Sequence, residues 1–144
     1  MVNRGRNSGK DGLVAFAAGT DVKCLQSPFP YFDAVWTLVA TGTEGQFKLY
    51  NEKLKVYVGV LSDANNTKFQ YVTGAEEAGV YELANVEGYA TFKKVGGDNN
   101  SHLHQSTWGG KEIVRWDNGD CSQWQLVKPF GPELTTDANN PICY

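Results

Sequence analysis

One short pattern occurs three times in this chain and limits what it can fold into. Trp36-Thr37-Leu38-Val39, Tyr81-Glu82-Leu83-Ala84 and Trp124-Gln125-Leu126-Val127 each run aromatic, polar, Leu, then small or apolar. The aromatics stand 45 and 43 residues apart. Their flanks keep step. Lys23, Lys68 and Lys111 each precede the aromatic by 13 residues, and Leu13, Val58 and Leu103 precede it by 23, 23 and 21. Phe47-Lys48 and Phe92-Lys93 follow by 11 residues, which aligns Val2 with Phe47 and Phe92. Markers that hold register through three passes define an internal threefold repeat, and a repeat decides architecture before local propensity does.

Within each copy the apolar residues alternate with period two, as in Phe47-Lys48-Leu49-Tyr50 and Lys55-Val56-Tyr57-Val58. Breaks rich in Gly, Asn, Asp and Thr separate these runs: 41–45, 62–66 and 96–100. Short strands joined by turns follow from that pattern. No window sustains a helical apolar face over a dozen residues; Gly74 to Leu83 comes nearest and is punctuated by glycine. Three four-stranded units in 144 residues predict an all-β chain, a β-trefoil, whose closed barrel removes the hazard of exposed strand edges. The repeated aromatic and Leu, two apart, would share the face that fills the barrel. We expect one domain over 1–128, with repeats near 1–45, 46–88 and 89–128, and a C-terminal tail over 129–144.

A chain of this size buries roughly two thirds of its unfolded surface, enough for a core without metal or disulfides. Net charge is −3 and charged residues make up 20%, so the electrostatic stripe of a nucleic-acid binder is missing and no nucleic-acid partner is expected. No apolar run reaches the length of a membrane span, and neither membrane insertion nor a signal peptide is expected in this chain. Cys24, Cys121 and Cys143 are odd in number; three thiols and one bridge with a thiol left over both fit, and connectivity stays open.

Before Val2 the first copy has almost nothing of what precedes Phe47 and Phe92 in the others. A shortened strand and excision from a longer protein both account for this, and excision is the preferred expectation. Ser27-Pro28-Phe29-Pro30-Tyr31-Phe32 is a loop, since two prolines forbid a central strand.

Catalytic motifs are missing: no GxSxG, no CxxC pair, no HExxH and no Gly-rich phosphate loop. The chain is expected to be no enzyme and to carry no cofactor. His102 and His104 share a strand face and could supply two metal ligands, but half-exposed polar positions are the better account. Asp117-Asn118-Gly119-Asp120 lacks the spacing of a calcium loop and reads as a turn. Glu76-Glu77 sits in a polar loop without a pocket to raise a pKa. Asn65-Asn66-Thr67 and Asn99-Asn100-Ser101 are glycosylation sequons in predicted turns.

The third copy differs from the other two. Between Ser101 and Trp124 it collects His102, His104, Gln105, Trp108, Arg115, Trp116, Asp117, Asn118 and Gln123. Where it has Trp116, the others have Thr73 and Pro28. Aromatic rings beside planar amides and a carboxylate suit sugars, whose apolar face stacks while the hydroxyls take hydrogen bonds. Packing of Trp108 and Trp116 beneath barrel loops is the competing account.

Gly110-Lys111-Glu112-Ile113-Val114-Arg115-Trp116-Asp117-Asn118 followed by Ser122-Gln123-Trp124-Gln125-Leu126-Val127 resembles the last two strands of a ricin B-type lectin repeat, which ends in Gln-x-Trp. The chain looks closest to trefoil modules appended to secreted bacterial carbohydrate-active enzymes and surface proteins. That resemblance implies a stacking aromatic at Trp116 and the family's strand Asp at Gln105. Ala34, Gly79 and Ser122 stand where the motif has Gln, Ala15, Val60 and Gln105 where it has Asp, and the stretch from Trp116 to Trp124 is shorter than usual. The expectation is a non-catalytic carbohydrate-binding module with one degenerate site of Gln105, Trp108, Trp116, Asp117 and Asn118. Its partner would be a glycan or polysaccharide, alongside other domains of a parent protein, outside the cell or at its surface. The alternative is a protein-interaction or protease-inhibitor-like trefoil that binds through the 27–32 loop.

Overall fold

The computed structural model describes residues 1–5, 13–18, 21–26, 35–60, 62–106 and 113–126. Its strands fall into three sets of four. The first holds β1 (Val2–Asn3), β2 (Leu13–Ala18), β3 (Asp21–Gln26) and β4 (Trp36–Ala40). The second holds β5 (Gln46–Asn51), β6 (Val56–Val58), β7 (Tyr71–Val72) and β8 (Tyr81–Val86). The third holds β9 (Tyr89–Lys94), β10 (His102–Gln105), β11 (Ile113–Trp116) and β12 (Trp124–Gln125). The middle two strands of every set form an antiparallel hairpin. Outer strands pair in series: β4 with β5, β5 with β8, β8 with β9, β9 with β12 and β12 with β1. A barrel of outer strands capped by three hairpins is a β-trefoil. Helical structure among the described residues is confined to the 3-10 turns Ala75–Glu77 and Asp120–Ser122.

The repeated aromatics line the barrel, as their spacing requires. Tyr81 and Trp124 are fully buried, and Trp36, Leu38, Leu83 and Leu126 pack against the same core. Cross-strand partners correct the alignment expected from distance alone. Leu38 faces Leu49 and Leu83 faces Phe92, and both partners are fully buried. Leu49, not Phe47, is therefore the counterpart of Phe92. Turn length explains the two-residue slip. Six residues separate the paired Ala40 and Phe47, but four separate Asn85 and Ala90, because Glu87 and Gly88 make a tight turn with both φ positive.

The same frame corrects the first copy. Asn3 lies opposite Trp124, as Asn51 lies opposite Trp36. Met1, which packs on the core, then takes the place of Leu49, and Val2 is one residue out of register. Asn3 and Asn51 are both fully buried. Each amide is bonded: Asn3 Nδ2 donates to the Cys121 carbonyl at 2.8 Å, and Asn51 Oδ1 accepts from the Leu54 N–H at 3.0 Å. Buried polar groups persist in a core when satisfied in this way.

Two of the barrel aromatics also hold the cap. The Tyr81 hydroxyl donates to the Gly59 carbonyl at 2.5 Å, and Trp124 Nε1 donates to the Leu103 carbonyl at 3.1 Å. Gly59 and Leu103 belong to the first half of their respective hairpins. Phe69 packs on Tyr81 with ring centroids 5.8 Å apart, and with Val58, Leu103 and Ile113 it extends the core into the cap. Burial pushes the Tyr81 phenol well above its ordinary pKa, so it stays a donor. Tyr81→Phe keeps the ring but leaves the Gly59 carbonyl without this donor. Urea unfolding should show a loss of about 1–3 kcal/mol at unchanged slope.

Candidate functional site

The β10–β11 hairpin pairs His102 with Trp116, Leu103 with Arg115, His104 with Val114 and Gln105 with Ile113. Side chains alternate across a strand, so Leu103, Gln105, Ile113 and Arg115 share one face while His102, His104, Val114 and Trp116 share the other. The first set is buried throughout. Leu103 and Ile113 belong to the core.

Arg115 Nη2 reaches Asp98 Oδ1 at 2.7 Å, and its Nη1 donates to Asn65 Oδ1. A single guanidinium thus clamps the 62–67 and 96–101 turns behind the hairpin. The Asp98 carboxyl lies below the usual range, held there first by the Asn100 backbone N–H and then by Arg115 and the Ser101 hydroxyl. Asn65 and Asn99, the acceptors of the two sequons, are exposed.

On the opposite face the rings gather at one end. His104 and Trp116 have centroids 6.4 Å apart and planes tilted by 50°. His104 Nδ1 meets Ser122 Oγ at 2.7 Å, and the Ser122 hydroxyl donates to the Asp117 carbonyl. A hydroxyl has one proton, and a carbonyl can only accept. His104 must therefore donate from Nδ1. His102 likewise donates from Nδ1 to the Asn99 carbonyl at 2.8 Å. The Ser–His pair consequently runs the wrong way for nucleophilic catalysis: Ser122 is fully buried and gives its proton to a carbonyl rather than to the imidazole.

The turn after Trp116 is tied at several points. Gly119 N–H donates to Asp117 Oδ1 at 3.0 Å, Ser122 N–H to the Gly119 carbonyl at 2.8 Å, and Gln123 Nε2 to the Asn118 carbonyl at 3.1 Å. Gln123 Oε1 accepts from Arg4 Nη1 at 2.6 Å. Arg4 also pairs with Glu87 at 2.8 Å and lies 4.5 Å over the Tyr89 ring. The N-terminal segment thereby braces this turn against the barrel.

Of the expected site residues, Trp116, Asp117 and Asn118 come together, the first two half-buried and the third exposed. Gln105 does not join them. It sits at the other end of the hairpin, on the other face, 1% exposed. Its Nε2 donates to the Ser106 carbonyl at 3.0 Å, and its Oε1 has no partner among the described residues. Strand parity is the reason: an odd offset of three positions separates Gln105 from His102, the residue opposite Trp116. Trp108, the 27–32 loop and the 129–144 tail, which carries Cys143, lie outside the described residues. His102 is buried at 6% rather than half-exposed. Ser122 was missed as a contributor; its signal was its position, where the resembled motif has Gln.

No protein-family model matches the chain, and no curated protein matches it. Among solved structures it is similar to a GlcNAcα1-4Gal-releasing endo-β-galactosidase from Clostridium perfringens, at 18% identity and TM-score 0.64, over 86% of this chain and 30% of that one. A designed threefold-symmetric protein, ThreeFoil, matches at 21% identity and TM-score 0.62, over 83% of this chain and 91% of that one. A Polyporus squamosus lectin bound to the human-type influenza-binding epitope Neu5Acα2-6Galβ1-4GlcNAc matches at 14% identity and TM-score 0.56, over 80% of this chain and 43% of that one. The chain spans less than a third of the length of the Clostridium protein. At these identities the likeness is one of fold.

The site makes stability depend on pH. Burial holds the His102 pKa below its ordinary value and Lys93 adds in the same sense, against the Asn99 carbonyl and Asp117. As pH falls, the unfolded chain takes up this proton first. The contribution is complete above about pH 6.5, the unfolded value, and is lost as pH falls through the lower folded-state value. His102→Gln should flatten the acid limb of a urea-midpoint profile; an unchanged limb would assign it to other groups.

Proposed function

We propose that this β-trefoil is a non-catalytic carbohydrate-binding module that holds a glycan or polysaccharide at one site on its third repeat. It would serve as one domain of a larger secreted or cell-surface protein. The observation that carries this reading is Trp116. Its indole lies half-exposed at the end of β11, propped by His104 at 6.4 Å, on the hairpin face turned away from Leu103 and Ile113. A ring so placed offers a platform for the apolar face of a pyranose. Asp117 and Asn118 follow it directly with oxygen and amide groups for hydroxyls, and the turn that carries them is held by Gly119, Ser122 and Gln123. Gln105 is left out of the contact set because it is buried on the opposite face.

Two proteins of like fold support the ligand class, one a lectin bound to a sialylated oligosaccharide and the other an endo-β-galactosidase. In the Ser122–His104 pair the imidazole donates and the serine proton goes to the Asp117 carbonyl, so this pair offers no activated nucleophile. A single shallow site binds weakly, and tethering to other domains or repetition along a polymer makes weak binding useful. Trp116→Ala should lower affinity at least about tenfold, about 1.4 kcal/mol. Affinity electrophoresis through polysaccharide gels and a glycan array read this directly, with thermal melting as the control for folding. Undiminished retention by a folded Trp116→Ala protein would remove this site from consideration.

A further inference from the structure

Asn118-Gly119 is the only Asn-Gly pair in the chain, and it lies in the turn beside Trp116. Both residues are exposed. The Gly119 nitrogen is held with its proton directed at Asp117 Oδ1, 3.0 Å away. With no side chain on Gly119, nothing crowds that nitrogen from its own Cα; a Cβ there would come within 3.1 Å of the Asp117 carboxylate. Gln123 Nε2 donates to the Asn118 carbonyl, which fixes the main chain on the other side of the same peptide bond.

We propose that Asn118 is a self-modification site, converted to aspartyl and isoaspartyl residues through a succinimide, with Asp117 as the base. The Asp117 carboxylate takes the Gly119 amide proton as that nitrogen attacks Asn118 Cγ. The N–Cγ bond forms, the Cγ–Nδ2 bond breaks, and the proton leaves with Nδ2 as ammonia. One water then opens the five-membered ring. Addition at Cγ gives the aspartyl residue, and addition at the main-chain carbonyl carbon gives the isoaspartyl one. No oxidant or cofactor enters the balance. The reacting atoms belong to adjacent residues, so the step is intramolecular, and a base held on the nucleophile's proton adds to that advantage.

The product carries a new carboxylate between Asp117 and Asp120. In the isoaspartyl form the main chain is longer by one carbon, which displaces the carbonyl that Gln123 now holds. A consequent loss of glycan retention rests on the reading given above; the chemistry at Asn118 does not.

The test is ageing of the intact chain at mildly alkaline pH, followed by peptide mass spectrometry with separation of aspartyl and isoaspartyl forms. Conversion should be fastest at Asn118 among all asparagines. Asp117→Ser keeps a hydrogen-bond acceptor for Gly119 but removes the base, and should slow conversion severalfold. Gly119→Ala should slow it as well. Conversion that begins at another asparagine, or none at Asn118, would overturn the site. Conversion in Asp117→Ser at the parent rate or faster would overturn the role of the carboxylate. Retention on glycan gels is scored separately, so a chain that binds no sugar still reports on Asn118.

Discussion

The structure depends on an aromatic side chain that belongs to two layers at once. Tyr81 and Trp124 stand in the barrel wall, fully buried, and each gives its polar hydrogen to a carbonyl of the hairpin above it. Burial of a large ring supplies the hydrophobic gain, while the donor satisfies a carbonyl that the cap would otherwise bury unpaired. That double duty explains the aromatic with a polar edge in the second and third repeats, Tyr81 and Trp124. Phe would fill the same volume and leave a carbonyl orphaned. It also couples barrel and cap, since neither layer is satisfied without the other.

Much of this was legible in the chain because repetition reports architecture directly. An aromatic and a Leu two residues on, recurring three times, require a strand with one face inward three times over. Register was less legible. Counting from Trp36 and Tyr81 paired Phe47 with Phe92, whereas cross-strand facing pairs Leu49 with Phe92. Turn length sets that difference, and composition says little about how many residues a turn consumes. The site was legible in part for a related reason. Trp116, Asp117 and Asn118 are contiguous, so sequence alone places them together. Gln105 needed strand parity and hairpin register, and both put it elsewhere. Ser122 joins the site through bonds to residues 18 and 5 positions away, which no local pattern announces.

Pseudo-symmetry shows what is special about the third repeat. Tyr57 faces Val72 in the second hairpin as His102 faces Trp116 in the third, so Val72, and not Thr73 as counting from Lys68 suggests, is the counterpart of Trp116. At this pair the second repeat carries its aromatic on the first strand, where Tyr57 packs on Tyr50 with ring centroids 4.6 Å apart and planes tilted by 43°. The third moves the large ring to the second strand, at the mouth of the 117–123 turn. A ring in the first place covers the seam between hairpin and barrel. In the second it sits beside a polar turn.

The inward neighbour of that ring completes the contrast. Tyr71 occupies the second-repeat position that Arg115 occupies in the third, each opposite a fully buried residue, Val58 or Leu103. A buried guanidinium is a poor source of net stability, because its desolvation offsets much of what its partners return. Its geometry does something a tyrosine cannot. Through Asp98 and Asn65 it draws two turns from different repeats onto the back of β11, and Phe69 and Arg115 extend the backbone pairing there. The strand that ends in Trp116 is thus held from behind by charge and from the side by the His104–Ser122–Asp117 chain. A weakly binding site gains most from a platform already fixed before the ligand arrives, since ordering costs then fall outside the binding step. The third repeat buries a guanidinium where the second has a half-buried tyrosine, and what it obtains is a strand fixed beneath the residue next to it.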